Sequence, residues 1–125
     1  MDTPELTAEV RSLVSDKDGN IFVGARTGDG SGTVYVGSNN NNNFNLISGT
    51  IGSVYNLSTD ELGNVYAGTR TGAGIGALYK SSGVSDFSVI SGTTGVVYGV
   101  DEVNGAFYAG TTLPGGNTGK LYRGL

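Results

Sequence analysis

The chain contains no cysteine, no histidine and no tryptophan, and only 2 prolines among its 125 residues. Each absence removes a class of chemistry. Without cysteine there is no disulfide framework, and without cysteine and histidine no Cys/His zinc site. Neither a Ser-His-Asp nor a Cys-His catalytic set can be assembled within the chain. The net charge of -4 and isoelectric point near 4.5 lack the basic footprint of a nucleic-acid binder. Charged residues make up only 14%, so the composition is not that of a charge-driven disordered chain. No stretch approaches the roughly 18 consecutive apolar residues of a membrane helix. The first residues, Met1-Asp2-Thr3-Pro4-Glu5-Leu6, are acidic, whereas a secretory signal opens with positive charge and an apolar run. A soluble chain is expected, with no nucleic-acid or membrane partner and its compartment left open.

What is abundant is glycine, 23 of 125 residues, and it is placed periodically. Val10-Arg11-Ser12-Leu13, Val54-Tyr55-Asn56-Leu57 and Val97-Tyr98-Gly99-Val100 open three equivalent segments, offset by 44 and then 43 residues. Within each, Gly19-Asn20-Ile21-Phe22-Val23-Gly24 corresponds to Gly63-Asn64-Val65-Tyr66-Ala67-Gly68 and to Gly105-Ala106-Phe107-Tyr108-Ala109-Gly110. Gly32-Thr33-Val34-Tyr35, Gly76-Ala77-Leu78-Tyr79 and Gly119-Lys120-Leu121-Tyr122 follow, and Phe44–Thr50 matches Phe87–Thr93. A period of this length is the signature of a repeat architecture. The domain reads as one unit of three repeats, 10–52, 53–95 and 96–125, preceded by residues 1–9.

Each landmark is a short run rich in Val, Ile, Tyr and Phe between Gly, Asn, Asp and Ser, which predicts a strand. Asp16–Asn20 and Asp60–Asn64 read as tight turns, with Gly supplying positive φ and Asp satisfying local donors. No window carries a helical period, so the chain is expected to be all-β with four strands per repeat. In the second repeat these are Val54–Thr59, Asn64–Thr69, Ala77–Lys80 and Phe87–Ile90; the third stops before its fourth strand. Asn39 to Asn43 reads as a solvated loop expansion.

The pattern of turn, Gly-Asn-Val-Tyr-Ala-Gly-Thr, Gly-x-Leu-Tyr-Lys-Ser and Phe-x-x-Ile resembles the blades of bacterial β-propeller repeat proteins. Lys80-Ser81-Ser82-Gly83-Val84-Ser85-Asp86-Phe87 is similar to an Asp-box turn, although it lacks the central Asp and is one residue short. The resemblance implies four-stranded blades, about three per chain. Three blades are too few to close a ring of about four to eight, so a six-bladed ring made by a homodimer is expected. Residues 1–9 then supply a candidate closing strand. The alternative is a monomeric β-trefoil, also three four-stranded repeats, although lectin trefoils usually carry a Gln-x-Trp that this chain lacks.

In a propeller the loops after the second and fourth strands ring one mouth of the channel. Arg26, Thr27 and Asp29 of the first repeat, Arg70 and Thr71 of the second and Thr112 of the third therefore form one candidate ligand-binding set. Arg offers a fork of donors suited to anionic groups or sugar hydroxyls; its ordinary role would be to pair with carboxylates such as Asp29. Tyr55 and Tyr98 join the set because Arg11 stands there in the first repeat and the innermost strand of a blade borders the channel, where this position would face solvent. The other repeated aromatics, Phe22, Tyr66, Tyr108, Tyr35, Tyr79 and Tyr122, read as packing between repeats.

No catalytic residue is assigned. Asp101 and Glu102 are the one close acidic pair inside a repeat, and neighbours on a strand point to opposite faces. Asp16-Lys17-Asp18-Gly19-Asn20 has the outline of a calcium loop, but a hairpin turn explains it and its counterparts better. No cofactor or metal is expected. The expectation is a non-enzymatic binding scaffold for a glycan or a protein segment, the alternative a structural repeat module or propeller fragment without a ligand.

Overall fold

A computed structural model of the chain describes residues 6–38, 43–72, 75–90, 95–113 and 118–124. The described residues contain no helix. They form eleven strands in three antiparallel sheets, with no closed barrel. The first sheet has the order β1 (Glu9–Ser15), β2 (Asn20–Gly28), β3 (Ser31–Ser38), β4 (Asn45–Ile47). The second repeats it with β5 (Ser53–Thr59), β6 (Val65–Arg70), β7 (Leu78–Ser81) and β8 (Ser88–Ile90). The third has β9 (Val96–Val103), β10 (Ala106–Thr112) and β11 (Gly119–Gly124). Within each sheet strand order follows chain order, because the connections there are short enough only for an antiparallel neighbour. The proposed closing strand at 1–9 falls largely on residues outside those described, as do parts of the loops at 39–42, 73–74, 91–94 and 114–117.

The turns are closed by their aspartates. Asp16 Oδ1 accepts the Asp18 and Asn20 amides at 2.9 Å, and its Oδ2 accepts the Asn20 side-chain amide at 2.8 Å. Asp60 repeats the arrangement with Leu62 and Asn64. The carboxylates are thus engaged by the hairpins themselves. In the turn that follows β7 the buried Ser81 hydroxyl lies 2.7 Å from the carbonyl oxygens of both Gly83 and Ser85.

The sheets pack face to face in series, and strand alternation decides what each face offers. Val65 and Ala67 of β6, with Val54, Leu57 and Tyr79, meet Phe22, Val34 and Ile47 of the first sheet. Tyr66, between Val65 and Ala67, points the other way and joins Leu78 against Val97, Val100 and Ala109 of the third sheet. The middle sheet is therefore buried on both faces, and β6 is buried along nearly its whole length. Among the described residues the outer faces lack such cover. Val10 and Leu13 are 54% and 64% exposed, whereas their counterparts Val54, Leu57, Val97 and Val100 are buried. Leu121 is 74% exposed where Leu78 and Val34 are fully buried.

Polar contacts cross the same interfaces. Thr59 Oγ1 donates to the Ser15 carbonyl at 3.0 Å, and the Val100 amide donates to Asn56 Oδ1 at 3.1 Å. Of the repeated aromatics, Phe22, Tyr66 and Tyr79 are buried, while Tyr35, Tyr108 and Tyr122 are half-buried.

Candidate functional site

The first strand of each sheet is irregular at one equivalent place. In β1 the pairing passes from Val10↔Ala25 to Ser12↔Gly24, leaving Arg11 unpaired. In β5 it passes from Val54↔Thr69 to Asn56↔Gly68, leaving Tyr55. In β9 it passes from Val97↔Thr111 to Gly99↔Gly110, leaving Tyr98. A bulge inserts one residue into a strand and re-aims a side chain. It explains how Val54 and Leu57, three positions apart, both reach the core on one face, which a strict period of two forbids.

The three bulged side chains form a stack across the sheets. The Arg11 guanidinium carbon lies 5.3 Å from the Tyr55 ring centroid. The Tyr55 and Tyr98 centroids lie 5.6 Å apart, with the rings inclined by 26°. A guanidinium over an exposed ring is worth about 0.5–1 kcal/mol, and an aromatic pair about 0.5–1.5 kcal/mol beyond its buried area. Tyr98, at the end of the stack, is 53% exposed.

Ion pairs flank the stack. Glu9 accepts Arg11 Nε at 2.8 Å on one carboxylate oxygen and Arg26 Nη1 at 3.3 Å on the other. Arg70 Nη1 lies 3.3 Å from Asp29 Oδ1, joining a loop of the first repeat to a strand end of the second. Tyr55 and then Asp29 favour the charged Arg70 guanidinium and hold it above its ordinary value. These pairs are partly exposed and contribute geometry more than stability.

The structure therefore brings together Arg70, Asp29 and Tyr55, and Tyr55 with Tyr98. Arg26 connects to them through Glu9 and Arg11. Thr27 and Thr71 are exposed at the ends of β2 and β6. Thr112 ends β10 and shares with Tyr98 a shallow, open depression of about 540 Å³ over the third sheet, also lined by Gly99, Gly110, Gly119 and Leu121. Glu9 and Arg11 were missed by reasoning from loops. Arg11 was findable from its place in the repeat, equivalent to Tyr55 and Tyr98; Glu9 had no signal short of the β1–β2 register.

No protein-family model matches the chain, and no curated protein matches it. The functional reading thus rests on the site itself.

A second depression of about 400 Å³ lies between the turns of the last two repeats, lined by Asp60, Glu61, Tyr66, Lys80 and Glu102 among others. Tyr66 donates to Asp60 Oδ2 at 3.3 Å. Burial, then the Asp60 charge, pushes the Tyr66 phenol up to about 12. Partial burial raises the Asp60 carboxyl, but donation from Asn64, Tyr66 and Leu62 outweighs it and leaves Asp60 below its ordinary value. Among the described residues no three acidic side chains gather in a way that would hold a metal ion.

Proposed function

We propose that the chain is a non-catalytic binding scaffold of the β-propeller type, its three sheets serving as consecutive blades. The face-to-face series of sheets, each formed from one repeat, supports blades over a trefoil, which would draw its repeats into a common barrel. The ligand is a glycan or a protein segment. It is taken up beside the stack of Arg11, Tyr55 and Tyr98, within reach of Arg70.

The observation that carries this reading is the exposed Tyr98 at the end of the stack, with forked donors nearby. The edge and hydroxyl of an exposed tyrosine suit the C–H groups and hydroxyls of a sugar ring, and guanidinium groups suit its hydroxyls or an acidic substituent. Bulges at all three equivalent positions keep these side chains out of the core. Asp16 and Asp60 are spent on turns, and Glu9 and Asp29 on ion pairs, which supports a binder over a hydrolase. The same stack also favours a second reading, a structural brace between blades with no ligand, since it links all three sheets.

A glycan array probed with the purified chain tests the first reading. Selective binding that is lost in Tyr98→Ala and weakened in Arg70→Ala, with the fold intact, supports the scaffold. Uniform silence excludes the glycan and leaves a protein segment or the brace.

A further inference from the structure

We infer that the two outer faces of the chain are halves of one interface, and that a second copy of the chain docks head to tail across them. The inference rests on the blade reading above. Its template lies inside the chain. A Cβ on Gly24 would meet Ser12 Oγ of its own sheet and fall 2.7 Å from Val54 Cγ1 of the next, and one on Gly68 would fall 2.6 Å from Val97 Cγ1. Each sheet thus presents a glycine slot on its second strand, and the next sheet fills it with the valine preceding its bulge.

The first and third sheets each hold half of this arrangement. Gly110 is the third slot, and no described atom lies within 4 Å of a Cβ placed there. Val10 is the unused valine, 54% exposed. The surroundings match as well. Leu121 stands exposed beside Gly110 where Leu78 and Val34 are buried, and Leu13 stands exposed beside Val10 where Leu57 and Val100 are buried. Seating Val10 of a second copy over Gly110 would cover all four. It would also place Arg11 of that copy beyond Tyr98, continuing the stack and leaving the edges of the stacked rings, rather than the Tyr98 face, to the ligand.

The contact is heterologous, so it either closes or grows without limit. One chain gives three blades and three chains would give nine, whereas propellers run from about four to eight. Two chains, with two identical contacts, give a six-bladed ring. The stack then becomes a closed circle of two guanidinium groups and four tyrosine rings around the two-fold axis.

The test is the solution mass by light scattering of three proteins: the native chain, Gly110→Val and Gly68→Val. The native chain is expected near twice 12.7 kDa. Gly110→Val fills open space within its own chain, so it is expected to fold, with native circular dichroism, at half the native mass. Gly68→Val is expected to unfold, because Val97 already occupies that slot. A native chain at 12.7 kDa overturns the inference, and so does a Gly110→Val protein that remains dimeric. If the native chain is monomeric while Gly68→Val unfolds, the blade reading stands and the docking fails. If Gly68→Val folds normally, the blade stacking itself is wrong.

Discussion

Val97 fills the space that a side chain at Gly68 would need: its Cγ1 lies 2.6 Å from the position of a Cβ there. The glycine belongs to β6 and the valine to β9, so their contact sets how closely the second and third sheets approach. Val54 and Gly24 repeat the relationship between the first and second sheets. Close-packed interiors transmit such insertions as strain, and overpacking costs about 1–3 kcal/mol. Gly68→Ala and Gly24→Ala should each destabilise the fold by that amount in urea unfolding. Gly72→Ala, where no described atom lies within 4 Å, should change stability by less than about 0.5 kcal/mol.

Burial between sheets should separate leucines that look alike in sequence. Leu78 is fully buried between the second and third sheets, whereas Leu62 in the β5–β6 turn is 84% exposed. Leu78→Ala should cost about 2–5 kcal/mol through lost transfer energy and the cavity left behind. Leu62→Ala should be nearly silent. Equal losses at the two positions would contradict the stacking of the sheets.

The Asp60 turn gives the chain a dependence on pH in acid. Asp60 titrates below its ordinary value because Asn64, Tyr66 and Leu62 donate to it, and Asp16 is lowered by Asn20 and Asp18 in the same way. A lowered carboxylate binds fewer protons in the folded state, so its contribution is complete above the unfolded value near 4. It is lost as pH falls through the folded values. Both groups are mostly solvated, so the loss is modest. Unfolding midpoints should fall below about pH 4, and Asp60→Asn should flatten part of that fall.

At alkaline pH the sign reverses. Tyr66 is pushed up to about 12 by burial and by Asp60, so the folded state keeps this proton after the unfolded chain has released it. Stability should decline from about pH 10 toward the Tyr66 value. Tyr66→Phe should remove that slope while keeping the ring against Phe107, 5.2 Å away between centroids.

The stack should matter more for binding than for folding. Tyr98→Ala removes one exposed partner of Tyr55 and should cost only about 0.5–1.5 kcal/mol. Its near-ultraviolet circular dichroism should change through loss of the paired rings. A loss as large as that of Leu78→Ala would assign the stack to the structural brace.

The repeats, the strands and the aspartate turns were legible because they depend on local chemistry: glycine where φ is positive, aspartate beside free amides, branched and aromatic residues between. Strand positions in the second repeat differ from the expected ones by only a residue or so at each end. The bulges were not read, although Val54 and Leu57, three apart and both apolar, carry their signal. A period of two cannot bury both without an inserted residue. The site was legible in part. Tyr55, Tyr98 and Arg70 meet as a group, but Asp29 pairs with Arg70 of the next repeat, and Arg26 turns to Glu9. Those choices follow from strand register and sheet stacking, which no local pattern encodes. The glycine slots were equally hidden, since a repeated glycine in a strand does not say which neighbour fills its space.

The most direct test of the head-to-tail ring uses the chain's lack of cysteine. In the double variant Val10→Cys, Gly110→Cys, the disulfide across the proposed interface joins position 10 of one copy to position 110 of the other, a bond that neither single variant can form. Their internal counterparts are within reach of one: Val54 Cβ lies 3.3 Å from the Cβ position of Gly24 and Val97 Cβ 2.9 Å from that of Gly68, so a small shift gives the ~3.5–4.5 Å span of disulfides. Oxidised protein on a non-reducing denaturing gel should run as a covalent dimer of about twice 12.7 kDa, with nothing larger, and collapse to monomer on reduction. Protein that stays at the monomer mass after oxidation, or that forms a ladder of higher multiples, would contradict a closed ring of two chains.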